Sequence, residues 1–237
     1  TCALPIFSKA LFPIGDLTKP QVREIAKEMG LATADKKDSQ GLCFVGKIAL
    51  PTFLQQQLAA KIGPVIEVPS DLDQFKAYET LQPNASNIEL LAKPFHFELT
   101  DGIEVTTHQG AHYYTIGQRK GLHIGGRPEP SFVIGIDTLN NIVYSGQNEQ
   151  HPGLNRWALK LDESSISWIN AHHEFETTNE LNCLVRIRYR QPLQKAKLLR
   201  TATGYYILFE QKQKGIAPGQ FAAWYAQDEL LGSAVIA

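Results

Sequence analysis

The last third of the chain is a series of short β-rich runs separated by turn residues, and this spacing limits the fold more than any other feature. Strands that recur at such intervals are typical of a β-sandwich or a barrel. We therefore predict a small closed β-barrel for residues 153–237. The runs that form its strands are 181–189, 195–200, 205–210, 221–226 and 230–236.

The middle of the chain, residues 63–152, is predicted to form a second β-rich domain. Two apolar runs, 132–136 and 142–145, flank Asn140-Asn141, and asparagine is favoured in tight hairpin turns. Residues 61–104 carry three lysines against eight Asp and Glu, a net charge of 3 − 8 = −5. We expect the stretch 64–104 to be a solvated acidic insertion with some strand, most simply a spacer.

The first 62 residues have helical signals. Thr18 and Gln21 form a capping box, Pro20 suits the first turn, and Gly30 is a natural helix stop. A second helix is predicted to begin at Pro51. The segment between the two helices is predicted to be a loop, where binding and catalytic groups are often found.

Cys43 lies in that predicted loop, at the end of a polar run. A free thiol has a pKa of ~8.5, and nearby cations can lower it to roughly 3.5–7.5, which yields the reactive thiolate. Lys36 and Lys47 are among the nearby cations, and Gly41 leaves room for a second molecule to approach the sulfur. The alternative is that Cys43 is a small buried hydrophobe.

The charge of the chain is unevenly distributed. The net charge is −1 overall, but residues 181–220 carry eight Lys and Arg against Glu210 alone, a net of 8 − 1 = +7. Alternation along a strand predicts that Arg186, Arg188 and Arg190 share one face, about 6–7 Å apart. With almost no acidic partners, such a row favours polyanion binding over a merely solvated sheet face. Cys183 falls on the apolar face and is predicted to be core.

A glycine-rich run with Arg119-Lys120 occupies residues 108–126. It resembles a phosphate-cradling loop but lacks the Gly-Lys-Ser/Thr end of a P-loop. The β-branched and aromatic residues around His108 and His112 favour a strand over a helix, so we predict no metal site there. We interpret the run as glycine turns that present a basic corner to RNA.

Composition excludes several classes of protein. No apolar run approaches the ~20 residues of a membrane helix, and no basic secretory n-region is visible. The cysteines are few and far apart, which argues against a disulfide scaffold and for a reducing compartment such as the cytoplasm. Because Thr1 stands where an initiator Met is expected, we expect a gene fragment whose first few residues are not native.

Several long motifs, in a fixed order from about residue 11 to residue 236, together resemble the tRNA-specific 2-thiouridylase family. One departure is His123, at a position where the family usually has glycine. The motifs are LFPIGDLTKP at 11–20, KDSQGLCF at 37–44, YTIGQRKGL at 114–122, RYRQ at 188–191 and PGQ at 218–220.

The resemblance implies replacement of the C2 oxygen of the tRNA wobble uridine by sulfur from a cysteine persulfide. It implies that Cys43 carries the persulfide and that Arg188, Tyr189 and Gln220 contact tRNA. A sulfur-carrier protein or a cysteine desulfurase would donate the sulfur. The family's ATP-binding loop, which works with Mg, and its first catalytic cysteine, which takes part in the persulfide and disulfide chemistry, would belong to a missing N-terminal domain.

The expected fold is thus α+β and mainly β. Residues 1–62 would be the C-terminal end of an α/β catalytic domain, 63–152 a central β-rich domain with an acidic insertion, and 153–237 a tRNA-binding β-barrel. Two other functions stay open. A non-catalytic RNA-binding β-barrel module leaves the Cys43 loop unexplained. A thiol redox enzyme leaves the arginine row unexplained and lacks a nearby resolving cysteine.

Overall fold

The computed structural model describes residues 11–36, 59–169, 175–189 and 191–237, without the side chains of 176 and 177. It divides into two compact units, residues 1–59 and residues 60–237. Cys43 and the helix predicted from Pro51 lie outside the described residues.

The described part of the first unit contains helix α1, Lys19–Glu28. The N–H of Thr18 donates to Gln21 Oε1 at 2.8 Å, which confirms the predicted capping box. The helix ends where the N–H of Gly30 donates to Lys27 O at 2.9 Å, as the sequence predicts.

The second unit begins with a sheet of order β2-β1-β4-β3. Strands β1 and β4 are parallel, and the other two pairs are antiparallel. The β3–β4 hairpin turns through Asn141, which has φ +58°, and this confirms the predicted hairpin. The elements in chain order are β1 Gly63–Glu67, α2 Asp73–Glu79, α3 Ile88–Ala92, β2 Ile103–His108, β3 Ser131–Asp137 and β4 Ile142–Gln147.

The expectation that residues 64–104 form a solvated spacer is wrong. Phe75 of α2 is buried in one cluster with Ile134 and Leu154, and Leu91 of α3 is buried in another. The acidic side chains, such as that of Asp73, project into solvent from the same helices. The prediction failed because the net charge of a segment does not reveal that its helices each have one apolar side that can be buried.

The second sheet, formed by the rest of the described chain, has the order β5-β9-β8-β7-β10-β11-β6. Its core includes Leu159, Val185, Ile207 and Trp224, all fully buried. The molecule is mainly β with few helices, as predicted. The elements are β5 Asn155–Leu161, β6 Ser167–Trp168, α4 Phe175–Thr178, β7 Glu180–Arg186, β8 Gln194–Thr201, β9 Gly204–Lys214, β10 Phe221–Ala226 and β11 Glu229–Val235.

The predicted closed barrel is not found among the described residues. The sheet curls so that its first strand meets the residues after β11 at a single bridge, between Leu161 and Ile236. The N–H of Asp162 donates to Val235 O at 2.8 Å on the same side. The two-residue strand β6 pairs with β11 along the edge where a further ladder to β5 would otherwise run. The sheet therefore stays open along most of that edge.

A buried hydrogen-bonded contact joins α2 and α3 to the second sheet. The hydroxyl of Tyr78 donates to Leu91 O at 2.9 Å and accepts from the N–H of Trp157 at 2.8 Å. Arg156 donates to Ala92 O at 2.7 Å and to Ile216 O at 3.1 Å. Burial lowers the pKa of Arg156 to about 10 and raises the pKa of Tyr78 to about 12. We call the Arg156 contact the closed joint.

Among the helices that the structure describes, none is long and apolar enough to cross a membrane.

Candidate nucleic-acid interface

The fold brings the three predicted tRNA-binding residues to one end of the second sheet. Strand β7 ends at Arg186, which pairs with Ala223 of the antiparallel strand β10. Residues that follow β7 and residues that precede β10 therefore lie at the same end. Those residues include Arg188, Tyr189 and Gln220.

Arg188 is fixed by a contact between two glycines. Its Nη2 donates to Gly215 O at 2.8 Å. A Cβ built on Gly117, which has φ +86°, would lie 2.9 Å from the same nitrogen, and one built on Gly215, with φ +64°, would lie closer still. Any larger residue at either position would displace the guanidinium, and burial there lowers the pKa of Arg188. We call this contact the open joint.

The predicted row of three arginines on one strand face is wrong. Strand β7 ends at Arg186, and the chain then turns. The turn is closed by the N–H of buried Ile187, which donates to Gln191 Oε1 at 3.2 Å, and by the N–H of Gln191, which donates to Arg188 O at 3.1 Å. Arg190 lies outside the described residues.

The cations of residues 181–220 also have more acidic partners than the sequence suggested. The acidic partners lie outside residues 181–220. Two of them, Glu79 and Glu149, belong to the first half of the second unit, by which we mean its residues before β5. This correction reduces the positive charge available to a ligand on strands β8 and β9. The ion pairs are Lys197 with Glu180 at 3.0 Å, Lys214 with Glu149 at 2.7 Å, and Lys212 with Glu79.

Tyr189 and Gln220 differ in their surroundings. The residue Tyr189 is 88% exposed, so its aromatic ring is open to a ligand. The backbone of Gln220 is held where its carbonyl accepts from the N–H of Ile236 at 2.7 Å. Its side-chain Oε1 is buried and has no hydrogen-bond partner among the described residues.

Residues 114–121, which we call the glycine loop, form a closed structure beside the open joint. The side chain of Gln118 accepts from the N–H of Thr115 at 3.1 Å and donates to Lys120 O at 2.8 Å. The loop is tied to β3, where the N–H of Gly117 donates to Val133 O at 2.8 Å. Since Gly117 already contacts Gly215 and Arg188, and since no P-loop ending is present, we assign no nucleotide site to this loop.

Two residues near these elements are structural. His108 is buried, and its Nδ1 accepts from the N–H of Gly110 at 2.9 Å, while burial lowers its pKa. Cys183 is buried as predicted, and burial raises its pKa to about 12. The Cys183 thiol therefore stays protonated and unreactive at neutral pH.

The sequence analysis missed Gly215 as a site residue. A glycine after a β-rich run indicates a turn, but it does not reveal the residue that packs against it. Its neighbours Gly117 and Arg188 come from distant parts of the chain, so only the fold brings the three together.

Three family models match successive parts of the chain. The model of the tRNA methyl transferase HUP domain matches residues 4–47, and that of the tRNA methyl transferase PRC-barrel domain matches 94–147. The model of the aminomethyltransferase beta-barrel domain matches residues 159–236.

Relatives named tRNA-specific 2-thiouridylase MnmA match almost the whole chain. The relative from Christiangramia forsetii is 50% identical and that from Flavobacterium johnsoniae 45% identical, each over 97% of this chain. The chain belongs to the tRNA-specific 2-thiouridylase family. A more distant member from Pseudomonas aeruginosa is 37% identical, also over 97% of the chain.

The chain spans only part of these thiouridylases, 58% of the Christiangramia and Flavobacterium proteins and 52% of the Pseudomonas protein. The residues of the open joint fall in two of the matched segments. Gly117 lies in the PRC-barrel match, and Arg188 lies in the beta-barrel match.

Proposed function

We propose that the protein containing this chain thiolates tRNA, placing sulfur at C2 of the wobble uridine. The observation that carries the proposal is the identity of 50% and 45% to two thiouridylases over 97% of the chain. The basic, aromatic end of the second sheet supports an RNA substrate, because RNA is bound through phosphates and through bases that stack on aromatic rings.

Cys43 is proposed as the persulfide carrier. The motif KDSQGLCF and the neighbouring lysines favour a thiolate, which is the form that accepts and delivers sulfur. Cys183 is unsuited to this role because it is buried with a raised pKa. Persulfide formation and its resolution through a disulfide with another cysteine are part of the proposal.

Arg188, Tyr189 and Gln220 are proposed to hold the tRNA. Nη2 of Arg188 donates to Gly215 O, and because the residue is exposed, its other guanidinium donors can bind a phosphate. The open ring of Tyr189 offers a stacking surface for an unpaired base. The amide of Gln220 lies at the same end of the sheet and adds a polar contact.

Other components are proposed from the family. ATP, when bound to the longer protein, supplies an adenylyl group that makes the uridine C2 oxygen a leaving group, and Mg would accompany it. A sulfur-carrier protein or a cysteine desulfurase would load the thiol of Cys43. The small number of cysteines favours the cytoplasm as the site of the reaction.

The proposal is tested with Cys43→Ser in the full-length protein. We expect loss of 2-thiouridine formation with nearly unchanged tRNA affinity, because serine cannot carry a persulfide and the tRNA-binding residues are untouched. Mass analysis of the tRNA nucleosides measures the product, and Cys183→Ala is the matched control that should retain thiolation.

Three results would contradict the proposal in different ways. Wild-type thiolation by Cys43→Ser would remove the persulfide role. A methylated rather than a thiolated nucleoside would support a tRNA methyl transferase activity instead, as in the names of the HUP and PRC-barrel domain families. Binding of tRNA by the intact wild-type protein with no modification would favour the non-catalytic RNA-binding module.

A further inference from the structure

We propose that the glycine loop is a second tRNA contact, in which Arg119 and Lys120 bind backbone phosphates. The inference rests on the proposed function, because it takes tRNA to be the ligand. It adds a binding element from the first half of the second unit to the residues already proposed on the second sheet.

The loop is formed before any ligand arrives. Gln118 bridges Thr115 and Lys120, and the hydroxyl of Tyr114 donates to Gly121 O at 3.2 Å. The loop also pairs with β3, where the N–H of Val133 donates to Gln118 O at 2.9 Å. A loop held in this way loses little conformational entropy on binding, so its charged side chains bind at lower cost.

The charges on the loop are available. Arg119 and Lys120 are exposed, and neither has an ion-pair partner among the described residues. Arg119 interacts electrostatically with Glu149, whose carboxylate already accepts a hydrogen bond from Lys214 Nζ at 2.7 Å. Glu149 has a lowered pKa, caused first by Lys214 and to a smaller extent by Arg119. Lys212 and Lys197, in contrast, have acidic partners of their own.

The loop adjoins the proposed tRNA-binding turn. A Cβ added at Gly215 would lie 3.2 Å from Gly117 Cα, so the two backbones touch. Arg188 lies over both glycines, and Tyr189 follows it directly. The basic pair therefore follows within three residues of the glycine that packs against the Arg188 guanidinium, and the open aromatic ring follows that arginine directly.

That combination favours RNA over an acidic protein. Phosphates along a backbone suit a series of cations, and the ring of Tyr189 suits a base that has left the helical stack. The positively charged glycine loop would bind phosphates of the RNA backbone, while Tyr189, in the turn after β7, would stack on the base.

The test compares the full-length wild-type protein with Arg119→Ala/Lys120→Ala. Affinity for unmodified tRNA is measured by fluorescence anisotropy over a series of salt concentrations. Each lost phosphate contact should reduce the slope of log K against log salt by about 0.7–0.9, which is about a five- to eightfold loss of affinity at 0.1 M salt. The double variant should therefore lose roughly 25- to 60-fold.

The matched control is Lys76→Ala/Lys93→Ala, which removes the same charge from exposed residues of α2 and of the end of α3. It should change the slope much less. Equal slopes for the two double variants, or a wild-type slope for Arg119→Ala/Lys120→Ala with unchanged melting temperature, would overturn the inference. Failure of the wild-type protein to bind tRNA would instead overturn the proposed function.

Discussion

The closed joint, formed by Arg156, and the open joint, formed by Arg188, are both arginine contacts to backbone carbonyls, but they differ in how deeply they are buried. In each, an arginine lies where the first half of the second unit meets its second sheet. Arg156 donates to Ala92 O, whereas Arg188 donates to Gly215 O and packs against Gly117. Both terminal nitrogens of Arg156 are bonded, at 2.7 Å and 3.1 Å, and the residue is buried. Arg188 has one such bond, at 2.8 Å, and although the residue as a whole is exposed, this bond is partly buried.

The difference separates structural charge from functional charge. A guanidinium that is buried against the carbonyls it bonds is out of reach of a ligand, and its removal leaves those carbonyls without donors. A guanidinium at the surface can keep one structural bond and offer its remaining donors to a phosphate. The closed joint should therefore control stability, and the open joint should control both stability and tRNA binding.

The largest effect is expected for Arg156→Met. Methionine fills the space with an apolar side chain but leaves Ala92 O and Ile216 O without their donors. At ~1–3 kcal/mol for each of the two unsatisfied buried carbonyls, the free energy of unfolding should fall by roughly 2–6 kcal/mol. Urea denaturation measures the change.

The control for this variant is Arg200→Met, an exposed arginine of β8 whose guanidinium lies 5.7 Å from the ring of Tyr205. It should cost less than about 1 kcal/mol. Equal losses for Arg156→Met and Arg200→Met would mean that the closed joint has no special role. At conditions where both variants are folded, neither should change the salt dependence of tRNA binding.

A smaller effect on stability is expected for Arg188→Ala. It removes one partly exposed hydrogen bond to Gly215 O, worth about 1 kcal/mol, and one phosphate contact, worth about 0.7–0.9 in the salt slope. Arg188→Lys should keep most of the slope because the charge remains, but it loses the planar fork. Full tRNA affinity in Arg188→Ala would show that this joint is only structural.

The features that were predictable from sequence are local ones. The helix start at Thr18 and the hairpin at Asn141 depend on residues within a few positions, and both are confirmed. The burial of Cys183 follows from strand alternation and is also confirmed. Local patterns of this kind fix the elements and the side chains that face inward.

The features that were missed depend on contacts between distant residues. The arginine row failed because the turn after β7, closed by Gln191, takes over from strand alternation. The acidic partners of Lys212 and Lys214 come from the first half of the second unit. The open joint likewise needs Gly117 and Gly215 together, and no local pattern in the sequence relates those two positions.

The smallest effect is expected for His123→Gly, which tests the backbone just after the glycine loop. His123 has φ +51°, in the left-handed region, where a residue with a Cβ costs ~1–2 kcal/mol. Glycine removes that strain but makes the unfolded chain more flexible by ~0.5–1 kcal/mol. The net gain in the free energy of unfolding should therefore lie between about 0 and 1.5 kcal/mol.

Gln227→Gly, in the β10–β11 turn with φ +52°, should give a similar gain because the strain is the same. Since the His123 side chain is exposed and lies outside the proposed contacts, His123→Gly should leave the tRNA salt slope unchanged. A stabilised variant with a weaker slope would mean that His123 itself contacts the RNA. If His123→Gly lowers the free energy of unfolding, the His123 side chain stabilises the protein by more than its left-handed backbone conformation costs.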